Sequence, residues 1–353
     1  MKIACIHPYI EQRRAEIIKG LYPRNHLWGI DAIEKEESWD ANLLSTSKHS
    51  IPSILEKFLN RVLFRSSPGV GVEIKAWKAF RSYDVVFSIC GPLSLAKFRK
   101  RSKLVSWVFS MQEDGNIHSF HPYNKRNLSS HAGFLCLTPK AERDFGNYAT
   151  SKFIPWCVDL KLFDGKLEKE YPNSPFFLAA GKTGRDYKTL VEASRLVNAE
   201  VRIIGPISQK PDNTPANVNW ISSSSDPPDQ AIDYPTLRKW YAQCTAVCIP
   251  LSGNANDTCG YTNLLEGMAM AKPILMTKSG CLHLNPQKSV FGFSIAPKDS
   301  NSWAEAMNSL LNDSRKSEAF GKQGRSIAER EFSIENFERR TVSFLQKIIE
   351  APK

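Results

Sequence analysis

Short apolar runs alternate with amphipathic stretches in two separate series along this chain, and that alternation restricts the fold more than any other feature. In the first series Lys2–Ile6, His26–Ile30, Asp84–Ile89 and Leu104–Phe109 read as strands, and Ile10–Leu21, Val72–Arg81 and Leu93–Arg101 as helices. Two strand–helix–strand steps in a row predict a parallel sheet clothed by helices. The second series opens with the strand Phe176–Ala180, the helix Tyr187–Val197 and the strands Glu200–Ile204 and Val218–Ile221. It continues with the helix Thr236–Gln243, the strands Thr245–Leu251 and Ile274–Met276, and helices near Ser302–Leu311 and Arg315–Glu331. A second doubly wound α/β domain is therefore expected. Pro155, Gly165, Pro172 and Pro175 punctuate the charged sequence between the two series and mark a linker. A chain of 353 residues is long enough for both domains, and the reading divides it into residues 1–160, 161–330 and a helical end, 331–353.

Charge is shared unevenly between the halves. Residues 1–160 hold 23 Lys+Arg against 15 Asp+Glu, whereas residues 161–353 hold 24 against 21. A cationic half suggests an acidic partner, such as an anionic membrane surface, a phosphorylated acceptor or nucleic acid; a solvated face kept for solubility is the plain alternative. Ile51–Arg65 carries Ile51, Ile54, Leu55, Phe58, Leu59, Val62 and Leu63 at helical spacing, with Lys57, Arg61 and Arg65 off that stripe. Such a helix lies on a membrane surface or packs on its own sheet, and spacing leaves both open. No run approaches the roughly 20 apolar residues of a membrane-crossing helix, and no secretory leader is recognisable at the start. The eight cysteines form no C-x-x-C pair. Reduced thiols in a cytoplasmic protein are the expectation.

Chemistry concentrates in Gly260–Leu275, which reads as a glycine turn, a short helix carrying Glu266, and a buried strand. A helix N-terminus offers free N–H groups and partial positive charge to a diphosphate, and Glu266, a turn later, is placed to accept from ribose hydroxyls. The competing reading is a helix packed through Leu264, Leu265 and Met268 whose glutamate faces water.

Several phrases then resemble one family in its own order: Leu137–Phe145, Phe153–Phe163, Gly181–Leu190, Tyr234–Leu251 and Gly260–Leu275 are similar to the corresponding segments of GT-B glycosyltransferases, especially glycosyltransferase family 4. The resemblance spans roughly residues 130–290. It implies two Rossmann-like domains facing a cleft, the front one holding the acceptor and the rear one the nucleotide sugar, with the helix Ile334–Glu350 returning to the front domain. It also implies sugar transfer from a nucleoside-diphosphate donor to an acceptor hydroxyl with retention, and no bound metal or other cofactor. Lys182 and Arg185 match the family's basic pair, which neutralises charge building on the departing diphosphate. Arg185 is suited to a bidentate grip on phosphate, unless it pairs with Asp186 or a surface carboxylate. Glu266 matches the ribose-binding carboxylate; Gly181, Gly260, Tyr261, Thr262 and Asn263 match the backbone around the phosphates.

Two departures narrow what carries over. Thr258 stands where many relatives place a second glutamate, so sugar recognition would fall to the adjacent Asp257 or to Asn254, Asn256 and backbone, unless this is an exposed loop with no role. His7-Pro8-Tyr9 replaces a Gly-Gly turn in the front domain. His118 occupies the region of an active-site histidine, with His121 and His131 as weaker candidates or ordinary loop residues. No His/Cys/Asp spacing suggests a metal site. The expected partners are a nucleotide sugar, a glycan or lipid-linked acceptor and an anionic membrane surface, with no nucleic acid. The alternative functions are a nucleotide-sugar epimerase of the same fold and a noncatalytic basic protein that binds nucleic acid or other anions.

Overall fold

In a computed structural model, which describes residues 1–7, 10–45, 51–64, 68–109, 120–168, 174–222, 232–253, 258–278 and 282–351, the chain forms two units. The first comprises Met1–Ile18, Arg24–Pro155 and Glu335–Lys353; the second comprises Lys19–Pro23 and Trp156–Ile334.

The first unit carries strands β1 (Lys2–His7), β2 (Asp40–Ser45), β3 (Val85–Ser88), β4 (Lys103–Val108), β5 (Gly133–Cys136) and β6 (Thr150–Phe153). They pair in the order β2-β1-β3-β4-β5-β6, all parallel. Its helices are α1 (Ile10–Ile18), α2 (Ile30–Glu34), α3 (Ser53–Val62), α4 (Val70–Ala79), α5 (Lys125–Leu128) and α6 (Pro139–Phe145). Ile3 to Ile6 are buried on both faces of the sheet, the condition that makes a parallel strand read as an unbroken apolar run. Ala4, Ile6, Val86 and Leu104 pack with Val72, Ala76 and Ala79 of α4.

The second unit carries β7 (Phe176–Ala180), β8 (Glu200–Ile204), β9 (Val218–Ile221), β10 (Ala246–Ile249), β11 (Ile274–Thr277) and β12 (Gly292–Ile295). The order is β12-β11-β10-β7-β8-β9, again parallel throughout. Around it lie α7 (Tyr187–Ser194), α8 (Tyr234–Gln243), α9 (Tyr261–Ala269), α10 (Ser300–Asn312) and α11 (Ser314–Glu331). Phe177, Leu190, Val201, Trp303 and Met307 share its core. A last helix, α12 (Ile334–Glu350), joins the first unit: the Phe337 ring stacks on Trp107 with centroids 5.3 Å apart. Lys103 Nζ donates to the carbonyls of Ile348, Ile349 and Ala351 at 2.8, 2.9 and 2.6 Å, closing the helix's C-terminus. The α/β class expected for both series, two doubly wound parallel sheets, is what the chain forms.

Two expectations fail for local reasons. His26–Ile30 is no strand: Arg24–Leu27 is a 3₁₀ turn, and Trp28 and Gly29 have φ of 55° and 79°, which a strand cannot contain. That kink sends the Trp28 indole edge-on to Trp107 and Phe109, and β2 supplies the strand beside β1 instead. Leu93–Arg101 forms only the 3₁₀ turn Ala96–Phe98. Its buried apolar residues Leu93 and Ala96 lie three apart, and Arg99 Nη1 already donates to the Ser102 carbonyl at 3.1 Å, reversing the chain into β4. The apolar stripe of 51–65 does form a helix, α3, but none of its residues is buried, so the stripe does not pack on the sheet.

Candidate functional site

The rear sheet reverses its order between β7 and β10. Ligands of open α/β sheets bind at such a point, outside the carboxyl ends of the strands. Here the chain leaving β7 turns through Gly181 and Gly184, with φ of 140° and 63°. This loop is tied to the segment leaving β10: Asp186 N–H donates to the Pro250 carbonyl at 3.1 Å and Ser252 N–H to the Gly184 carbonyl at 3.0 Å. The Leu251 N–H donates in turn to the buried Thr277 Oγ1 at 2.9 Å.

Helix α9 begins at the same end. Its N-cap, Gly260, is left-handed and gives no side-chain cap; a Cβ there would lie 2.6 Å from Ile249 Cγ2, so only glycine lets the helix start this close to the sheet. Tyr261 N–H donates to Thr258. Among the described residues the N–H groups of Thr262 and Asn263 find no acceptor, which leaves first-turn donors available for an anion.

Side chains from α8, α9 and the Gly181 loop meet beside this helix end. Arg185 lies over Gly181, whose missing Cβ makes room for the guanidinium. It donates to the Ala180 carbonyl from Nε and Nη2 at 3.2 and 3.1 Å, to the Thr183 carbonyl at 2.9 Å, and from Nη2 to Asn263 Oδ1 at 2.7 Å. Asn263 Nδ2 donates to the Tyr241 hydroxyl at 3.1 Å and to Glu266 Oε2 at 3.4 Å. The Tyr241 hydroxyl donates to the same Oε2 at 2.9 Å. Arg185, Asn263, Tyr241 and Glu266 thus form one chain of hydrogen bonds.

Glu266 is buried, 3% exposed, which removes the reading in which it faces water. Burial pushes its carboxyl up to about 8, against the hydrogen bonds from Tyr241 and Asn263, which pull it down. Both of those bonds end on Oε2, so Oε1 is the oxygen left to hold the proton. Burial, followed by the nearby Glu266 carboxylate, drives the Tyr241 phenol well above its ordinary value, and it stays a donor.

The structure joins Arg185, Asn263 and Glu266, with Gly181 and Gly260 shaping their surroundings and Tyr261 buried in the first turn of α9. Lys182 stands apart: its side chain is exposed, its carbonyl accepts from Gln209 Nε2 at 2.6 Å, and among the described residues no hydrogen bond links its ammonium to the network. Asp257, Asn254, Asn256 and His118 lie outside the described residues. His121 and His131 are buried. His131 bonds the Asn127 carbonyl through Nδ1 at 2.9 Å and stacks on Phe134, and burial lowers it to about 4; it is a neutral packing residue. His121 Nδ1 accepts from Tyr123 N–H at 3.2 Å. Tyr241 was not singled out in the sequence. Its one signal is that a tyrosine on a buried helix face must find a partner for its hydroxyl.

Residues 175–313 match the family model described as Glycosyl transferases group 1. The match lies within the rear unit, Trp156–Ile334. The whole chain has the GT-B fold. Sucrose-phosphate synthase from Thermosynechococcus elongatus superposes with a TM-score of 0.71 at 16% identity over 100% of both chains. HepE of Anabaena, in complex with UDP and glucose, gives 0.64 at 14% identity, covering 98% of this chain and 100% of its own. A glycosyltransferase from Rickettsia africae gives 0.65 at 14%, covering 99% of each. No curated protein matches the sequence. Among the described residues no three His, Cys, Asp or Glu side chains group to hold a metal, and no helix is long and apolar enough to cross a membrane.

Proposed function

We propose that the protein transfers a glycosyl group from a nucleoside-diphosphate sugar to an acceptor hydroxyl, with retention at the anomeric carbon and without a bound metal. The single observation that carries this reading is the hydrogen-bonded chain Arg185–Asn263–Glu266 beside the open N-terminus of α9, at the reversal point of the rear sheet. The diphosphate lies across the N–H groups of Thr262 and Asn263. Arg185 turns part of its guanidinium from protein carbonyls to phosphate oxygens, and Lys182 reaches in from the exposed loop. Negative charge that grows on the leaving diphosphate as the anomeric carbon becomes oxocarbenium-like is met by these fixed donors. Glu266 holds the ribose through Oε1. HepE was solved with UDP and glucose, and a uridine diphosphate sugar is accordingly the donor to try first. The acceptor is a glycan or lipid-linked intermediate of polysaccharide or glycolipid synthesis, reached in the cytoplasm at an anionic membrane surface; the excess of cations in residues 1–160 supports an acidic partner.

The test is a thermal-shift and donor-hydrolysis panel of UDP-, GDP- and ADP-sugars on the wild type, Arg185→Ala and Glu266→Ala. Stabilisation of the wild type by one diphosphate class, lost in both variants, supports the site. Equal stabilisation of all three proteins refutes it.

A further inference from the structure

Helix α3 shows a surface that the sugar-transfer reading leaves unexplained. Its residues Ile54, Leu55, Phe58 and Val62 are 83%, 47%, 58% and 50% exposed. At spacings of one, four and eight residues they form one continuous apolar strip along the helix. Lys57 and Arg61, four residues apart and both exposed, border that strip on one side. The acid of the helix, Glu56, lies on the opposite, half-buried side with Leu59, Asn60 and Leu63. That side is anchored: Asn60 Oδ1 accepts the Val70 N–H at 2.7 Å where α4 begins. The strip therefore points outward because its other face is committed to the unit, and rolling the helix inward would break that anchor.

We infer that α3 docks the protein onto an anionic lipid surface, with Ile54, Leu55, Phe58 and Val62 entering the headgroup–acyl boundary and Lys57 and Arg61 pairing with lipid phosphates. An outward apolar strip with a purely basic border is the pattern of an interfacial helix, and the long stems of Lys57 and Arg61 let their charges stay at phosphate level while the strip sinks. Charge decides against a second copy of the chain as the occupant. Two-fold pairing of this face sets Lys57 and Arg61 against their own copies, and the exposed face offers no acid to neutralise them. The excess of 23 cations over 15 anions in residues 1–160 favours the same anionic partner. This inference deepens the membrane part of the proposed function and rests on it there, yet docking needs no donor, so vesicle binding and nucleotide binding fail separately.

The experiment is co-sedimentation of the full chain with vesicles of phosphatidylcholine alone or mixed with phosphatidylglycerol, at low and high salt. The variants are Ile54→Ser/Phe58→Ser and Lys57→Glu/Arg61→Glu, each checked for an unchanged melting temperature. Wild type should bind the mixed vesicles, lose binding as salt rises, and bind phosphatidylcholine weakly. Both double variants should weaken binding about tenfold or more, since each cation near the surface contributes about fivefold. Wild type that ignores the mixed vesicles, or variants that bind them as well as wild type, overturns the inference. So does a concentration-dependent dimer that Ile54→Ser/Phe58→Ser abolishes, which would make this face a self-association surface.

Discussion

At the scale of single residues, Glu266 links nucleotide binding to pH. Its carboxyl is raised to about 8 in the free protein, so at neutral pH it is largely protonated. Ribose hydroxyls donate to a carboxylate better than to a carboxylic acid, and binding should therefore expel the proton. Affinity for UDP is expected to rise as pH climbs toward about 8 and to level off beyond it. Calorimetry in buffers of different ionisation enthalpy should detect close to one proton released per nucleotide near neutrality. Glu266→Gln should flatten the profile. Tyr241→Phe removes a hydrogen bond that holds the carboxyl down, and should move the midpoint to higher pH. The same raised value affects folding with the opposite slope. A carboxyl raised in the folded state adds stability that is complete below its unfolded value of 4.5 and lost as pH rises through about 8. Glu266→Gln should then be more stable than wild type above that pH, by on the order of a few kcal/mol at most, read as a higher melting temperature.

At the scale of elements, α9 and its sheet show what close packing demands. Gly267 faces β10 and β11, where a Cβ would lie 2.6 Å from Ile274 Cδ1 and 3.0 Å from Val247 Cγ2. Gly267→Ala should cost roughly 1–3 kcal/mol in thermal unfolding and push the first turn of α9 away from Arg185, weakening UDP binding. Central strands such as β1, β7 and β10 were legible in the sequence because both of their faces are buried, which gives unbroken apolar runs. The front sheet's edge strands were not, whereas the rear edge strand β9 was read as Val218–Ile221. Asp40–Ser45 is half polar and none of Asp40–Leu44 is buried, nor is any residue of Thr150–Phe153, so neither gives an unbroken apolar run. The donor-side motif was readable only through the resemblance of several phrases in one order, since Gly260 and Glu266 by themselves left open a packed helix whose glutamate faces water. Tyr241 was hidden because a buried tyrosine with a carboxylate partner and one in an ordinary core look alike until the partner is placed. Trp28 shows the reverse failure: an apolar run suggested extension, while two left-handed residues in succession turned it into a core anchor.

At the scale of the whole molecule, the first unit is assembled from both ends of the chain. Strand β5 is fitted to α12 closely enough that a Cβ on Gly133 would lie 2.9 Å from Ile348 Cδ1, and Phe337, Phe344, Leu345 and Ile348 are all buried. Each such side chain is worth roughly 1.5–3 kcal/mol on burial. Together they rival the roughly 5–15 kcal/mol by which a domain is stable, so the first unit cannot complete its fold before the last residues are made. Deleting residues 335–353 should leave it unfolded, with its tryptophans exposed to quencher. Phe337→Ala is the milder form of the same change. It removes the ring stacked on Trp107 and edge-on to Trp28, at a cost of about 3–5 kcal/mol. Hydrogen exchange should then show lost protection in β1, β4 and β5. Amides of β7, β8 and β10, whose core includes Phe177, Val201 and Cys248 and none of the α12 residues, should keep theirs.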